Sequence, residues 1–334
     1  MGTFHRLAPL LVALLAAPPA FAQASAEAER ACFQQPPLPR EQLVSACQIF
    51  AQDQAAPAAR RSEALAAMGA AMAEADRRQA MHFYAQALAA NPANARALVA
   101  RAALYEAAAF NVPALIDISQ AILADPALPG LFTIRGRLRQ ALGDIPGARA
   151  DAEQAAREHP RVAAPQGALS EVLLAAGDNQ AALRAIDAAI RLEPEEEDYL
   201  YFRAVVHRSA GRLQPALADI DRAIAAEQDS ANMIAERCLI RARLRQPQAL
   251  GDCDQAVQME EDGLARLVRA GVLALRGDMS GARADLERAT RLDPRNNAIR
   301  QALASLLQRG ARPAALGAAM ERQLTELFGR EILR

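Results

Sequence analysis

Four prolines stand at a constant interval: Pro92, Pro126, Pro160 and Pro194 are each 34 residues apart. Proline breaks a helix from within and is tolerated at its edges, so it punctuates helical segments. The next equal step lands on Gln228, and after two one-residue deletions Pro294 marks a later copy. A fixed period of this length is the mark of a stacked array. One supersecondary unit recurs because a single copy cannot bury its own apolar face.

With each proline counted as position 32, small residues recur where two helices would have to touch. Position 20 is Ala80, Ala114, Ala148, Ala182, Ala216, Ala249 and Ala282. Position 27 is Ala87, Ala121, Ala155, Ala189, Ala223, Ala256 and Ala289. Position 8 of the second to seventh copies is Ala102, Gly136, Ser170, Ala204, Cys238 and Ala270. Gly-Asp pairs at Gly143–Asp144, Gly177–Asp178 and Gly277–Asp278 separate two halves, each about 13 residues or roughly 20 Å of helix. Aromatics are only 4% of the chain, and alternating β-branched runs hardly occur. Alanine favours helix and close contact, so the expected class is all-α.

The period, the small residues at positions 8, 20 and 27, and the terminal proline together resemble the tetratricopeptide repeat family. The resemblance covers about residues 61–310. It departs at position 4, aromatic only as Phe132, and at position 11, tyrosine only at Tyr105. It implies antiparallel helix pairs in a right-handed superhelical solenoid, with the first helices lining a concave groove. The expected organisation is a leader over residues 1–22, a cysteine-containing lead-in over 23–60, about seven repeats over 61–310 and a cap over 311–334. Closing helices are expected at 297–308 and 313–328, because terminal units must shield an apolar face.

The copies act as an alignment within one chain. Position 7 is arginine in five of them: Arg101, Arg135, Arg203, Arg237 and Arg269. Position 23 of the same five is aspartate: Asp117, Asp151, Asp219, Asp252 and Asp285. Where the arginine is missing, as at Leu169 and Ala67, so is the aspartate, replaced by Ala185 and Phe83. The joint gain and loss points to a structural ion pair between the two helices of a repeat, a guanidinium fork on a carboxylate. An arginine ladder reading an anionic ligand is the alternative, but it would not require the aspartates.

The first residues read as a secretory leader: His5 and Arg6, an apolar run over 7–17, then Pro18, Pro19 and a small-residue end. Cleavage is expected before Gln23, placing the mature chain outside the cytoplasm, in the periplasm of a bacterium. No stable membrane insertion is expected, because the apolar run is short and interrupted by proline. An exported chain with an even cysteine count implies disulfides, here Cys32–Cys47 and Cys238–Cys253, with free buried thiols as the alternative. Cys238 and Cys253 hold positions 8 and 24, on facing helices. Some exported tetratricopeptide proteins are similar in carrying an early cysteine pair.

Reactive chemistry is not legible. All 38 basic residues are arginine, so lysine-based mechanisms are excluded, and the formal charge of −1 argues against phosphate-driven nucleic-acid binding. Zinc spacings, nucleophile elbows and phosphate loops are absent from the sequence. The run Glu195–Asp198 is a calcium candidate, read in preference as acids at a helix N-terminus. We therefore expect neither enzyme activity nor a cofactor or metal.

The remaining surface is the groove, which the resemblance places at positions 2, 5, 9 and 12 of the first helices. Candidate residues are Thr133, Arg137, Gln140, Tyr201, Arg208, Leu239, Leu264 and Leu267. The leucines either anchor a ligand or pack against a closing helix. The expected function is an exported scaffold that binds a protein or peptide in this groove. The alternative is a subunit of an envelope complex that packs laterally, with an enzyme accessory role the weakest reading.

Overall fold

The computed structural model describes residues 19–34, 37–226, 230–259 and 263–294, together with Gln301 and Ala304. Every regular element among them is a helix. The leader before residue 19 and both expected closing helices lie outside the described residues. The chain divides into two compact units, one ending at Leu131 and the other beginning at Phe132.

The first unit opens with a hairpin, α1 (Pro19–Cys32) and α2 (Arg40–Ala51), followed by the pairs α3 (Ala58–Met72) with α4 (Arg77–Ala90) and α5 (Ala95–Ala107) with α6 (Asn111–Ala124). The second unit holds α7 (Leu131–Ala141) from its second residue onward, α8 (Ile145–Glu158), α9 (Ala163–Ala175), α10 (Asn179–Leu192), α11 (Glu197–Ser209), α12 (Leu213–Ala226), α13 (Ala231–Arg243), α14 (Ala249–Met259), α15 (Gly263–Leu275) and α16 (Met279–Leu292). Within each unit the helices pack in sequence, each second helix also lying against the first helix of the next copy. This is the helix-pair solenoid implied by the period.

The alanine register explains the close packing. All seven alanines at position 20 are fully buried, and those at position 27 are at most 2% exposed. Position 8 faces them: a Cβ on Gly136 would meet the Ala148 carbonyl oxygen at 3.3 Å. Ser170 fills the same place in the next copy, and its buried hydroxyl donates to the Ala182 carbonyl at 2.8 Å. A larger residue at these positions would drive the helices apart.

The Gly-Asp pairs supply two termini at once. Gly143, Gly177 and Gly277 adopt φ of +84°, +79° and +86°, the left-handed conformation that ends a helix. The following aspartates accept hydrogen bonds from Gly147, Ala181 and Gly281 N–H, capping the second helix. The equivalent residues Ala109 and Arg245 hold φ of 60° and 56° without being glycine.

The five arginine–aspartate pairs are present as bidentate contacts. Arg101 Nε and Nη2 donate to Asp117 Oδ2 and Oδ1 at 2.7 and 2.8 Å. Arg135, Arg203, Arg237 and Arg269 hold Asp151, Asp219, Asp252 and Asp285 in the same way. Three of these arginines also reach back one copy, Arg203 to Asp187 at 2.9 Å, Arg237 to Asp221 at 3.4 Å and Arg269 to Asp254 at 3.0 Å. Each of the three therefore ties its own second helix to the second helix before it. Hydrogen bonding to Asp219 is the main cause raising the pKa of Arg203 above its ordinary value.

Disulfides join Cys32 to Cys47 and Cys238 to Cys253, with Cα atoms 4.8 and 5.3 Å apart. The first ties α1 to α2; the buried residues described in α1, namely Ser25, Ala28 and Cys32, all follow the expected cleavage point before Gln23. Each bond closes a loop worth about 3 kcal/mol in the chain-entropy treatment.

Two outcomes are expected. Arg203→Leu strands the buried Asp219 and should cost about 3–5 kcal/mol in urea unfolding, whereas Arg203→Leu with Asp219→Ala should cost clearly less. Ala109→Gly should stabilise by about 0.5–1 kcal/mol, because it removes left-handed strain from a residue bearing a Cβ. An unchanged urea midpoint would show that no strain is held there.

Candidate functional site

In the second unit, α7 and α9 border a cleft of about 350 Å³, with Tyr199 of α11 at its far side. Thr133, Gly136, Arg137 and Gln140 come from α7, and Ala164, Gly167, Ala168, Glu171 and Val172 from α9. Thr133, Arg137 and Gln140 are positions 5, 9 and 12 of the third copy. Ala164, Gly167 and Glu171 are positions 2, 5 and 9 of the fourth. One register on successive first helices thus meets around one space.

Glycine at position 167 shapes it. A Cβ there would come within 3.0 Å of Tyr199 Cε1, so the ring lies alongside α9 where a larger side chain would exclude it. Glu171 stands one helical turn further on, partly buried, with no hydrogen bond or ion pair among the described residues. Removal from water pushes its pKa up to about 8, with Arg137 attracting the charged form and Asp198 opposing it. The Tyr199 hydroxyl is likewise pushed up to about 12, chiefly by burial and then by Glu193, Glu196, Asp198 and Glu171. Gln140 is 9% exposed, and its Oε1 is buried without a hydrogen-bond partner.

The remaining candidates are placed elsewhere. Leu239, Leu264 and Leu267 lie at most 4% exposed in one apolar cluster with Cys238, Cys253, Val268 and Leu286. Tyr201 packs at 7% exposure among Leu200, Phe202 and Ile220. Arg208 is fully buried in an ion pair with Glu236 of α13, itself fully buried. These five are therefore core residues rather than an open groove wall. The physical reason is that α13 packs directly against both α11 and α15, closing the space between first helices.

Other charged motifs resolve locally. Arg241 joins Arg237 on Asp252, and Arg243 donates to the Arg208 carbonyl at 3.0 Å. Glu197 and Asp198 occupy the first turn of α11, at the positive end of its dipole. His207 is held below its ordinary pKa by burial, partly offset by Asp219 at 3.8 Å.

Glu171, Gly167 and Tyr199 belong to no motif that marks them in the sequence. The signal for the first two was present: carrying the groove register into the fourth copy lands on both. The first unit has a comparable cleft of about 520 Å³ lined by Phe33, Arg60, Glu63, Tyr84, Asn94 and Arg96. There Arg60 is occupied, paired with Glu29 and Glu63 and lying 4.0 Å over the Phe33 ring.

Solved structures share this fold. A chain of the APC/C hetero-tetramer Cut9–Hcn1 superposes with a TM-score of 0.59 at 14% identity, over 86% of this chain. This protein spans only 55% of that chain's length. PilW, a widely conserved type IV pilus biogenesis factor, gives 0.54 at 19% identity over 59% of this chain and 92% of its own. A tetratricopeptide repeat protein from Parabacteroides merdae gives 0.52 at 15% identity, covering 86% and 99%. No family model and no curated protein matches the sequence. At these identities the likeness establishes the tetratricopeptide fold and nothing finer.

Unfolding across pH offers a check on the cleft. Glu171 has a folded pKa above its unfolded value, so its contribution is fully present below about pH 4.5 and is lost as pH rises through about 8. Glu171→Gln should flatten that slope and be the more stable chain at pH 9, by roughly 2 kcal/mol allowing for solvent access. Identical pH profiles for the two chains would show that the carboxyl is solvated.

Proposed function

We propose that this chain, built on the tetratricopeptide fold, is a non-catalytic scaffold that holds a segment of a partner protein across the first helices of its second unit. The observation that carries the reading is the cleft itself, where groove-register residues of two successive copies converge. Its wall mixes an aromatic ring, alanines and a few polar groups, the composition that fixes an extended peptide by shape and a small number of directed contacts. Two disulfides and the leader-like first residues support an oxidising, exported setting, the periplasm in a bacterium. The ligand is a protein segment rather than a nucleic acid, given the net charge.

A second reading has its own observation. On α6, Val112, Ile116 and Leu123 are 56%, 52% and 85% exposed, with Phe110 just before them at 60%. An apolar face of this kind suits lateral packing within a larger envelope assembly. The two readings predict different neighbours. A photo-crosslinking residue at Thr133 should capture partners in the exporting cell, and Ala164→Trp, which fills the cleft from an exposed position, should abolish the capture in the same chain. Crosslinks formed only from Ile116 would overturn the groove reading in favour of assembly. The buried Arg208 and Leu239 are unsuitable probes, since substitution there would disturb the core.

A further inference from the structure

The geometry points to a pocket for a cationic side chain, a lysine or arginine carried by the bound segment, formed by Glu171 and Gln140 with the Tyr199 ring as one wall. This rests on the groove reading above and names the chemistry of its ligand.

Three observations converge on it. Glu171 and Gln140 both line the cleft from neighbouring first helices; the Glu171 carboxyl has no described partner, and the buried Gln140 Oε1 has none either. A partly desolvated carboxyl without a hydrogen bond is unfavourable in the empty protein, and a donor is what it lacks. An ammonium offers three donors and a guanidinium five, so either can supply the donor that Glu171 lacks and keep others for the polar groups around it.

The second is the surrounding field. Glu193, Glu196 and Asp198 all act on Tyr199, and Arg137 is the one arginine among the described residues lining the cleft. Arg137 attracts the charged form of Glu171 and Asp198 opposes it. An acidic segment would meet like charge here, whereas a basic one would be steered in.

The third is the ring. Tyr199 is held beside α9 by the absence of a side chain at Gly167, and a tyrosine face attracts a cation within about 6 Å of its centroid. The chain cannot fill the site with a lysine of its own, having none. The position-7 arginines are engaged with aspartates.

The test uses the full chain and short random peptide libraries with a fixed central lysine, arginine, glutamine or glutamate, read by fluorescence anisotropy. Lysine and arginine libraries should bind most tightly. Glu171→Gln should weaken them roughly 30-fold while leaving the glutamine library unchanged. Glu171→Asp should retain part of the preference. Binding of the lysine library should tighten from pH 6 to pH 9, since Glu171 must lose its proton to form the pair and lysine keeps its own. Arg137, Asp198 and Tyr199 are the charged or titratable neighbours that set this dependence.

Equal binding of all four libraries, or preference for glutamate, would overturn the cationic pocket while leaving the groove in place. Failure of every library to bind, together with no crosslinks from Thr133, would overturn the groove reading and the pocket with it. Loss of the lysine preference in Glu171→Gln at a melting temperature no lower than that of the parent chain separates recognition from damage to the fold.

Discussion

The architecture depends on how closely two helices can approach at positions 8, 20 and 27. Alanine, glycine or serine at most of these places brings the backbones near enough that the small side chains are buried between the two helices of a copy. Alanine also costs nothing in helix propensity, so local preference and packing agree. With few aromatics available, the core is thin and repeated rather than thick and central. Its stability comes from many similar interfaces, as expected of an array in which each copy contacts only its neighbours.

The arginine forks work on this frame. A guanidinium held between two acidic side chains replaces the water it loses, and the planar fork sets the rotation of one helix against another. Arg203, Arg237 and Arg269 each bridge three helices, so they orient successive copies as well as the pair within a copy. In the second unit the fourth copy lacks the fork: Leu169 and Ala185 stand in its place and pack with apolar neighbours. That same copy supplies Gly167 and Glu171 to the cleft. The position-7 arginines serve the scaffold, and the recognition surface draws on a different register of the same helices.

Legibility in the sequence followed the range of each interaction. The arginine–aspartate pairs could be read because they are made within one repeat and recur, so presence and absence travel together. The return contacts to Asp187, Asp221 and Asp254 could not, since they depend on how neighbouring copies stack. Tyr201, Arg208, Leu239, Leu264 and Leu267 occupy groove positions by count, yet direct packing of α13 on α11 and α15 buries them. Conversely Glu171, an unremarkable acid by sequence, becomes distinctive only through its depth.

The chain's periodicity alone determined the helix pairs, their small-residue contacts, the turn chemistry and the ion-pair partners within a repeat, while the even cysteine count of a chain read as exported pointed to the two disulfides. Those features rest on contacts between residues a fixed and short distance apart, which a repeat displays many times over. Tertiary structure alone decided where first helices close on one another and where they leave a cleft, and which polar groups there remain without partners. Desolvation is a property of the space around a group, and that space is set by residues from three different copies.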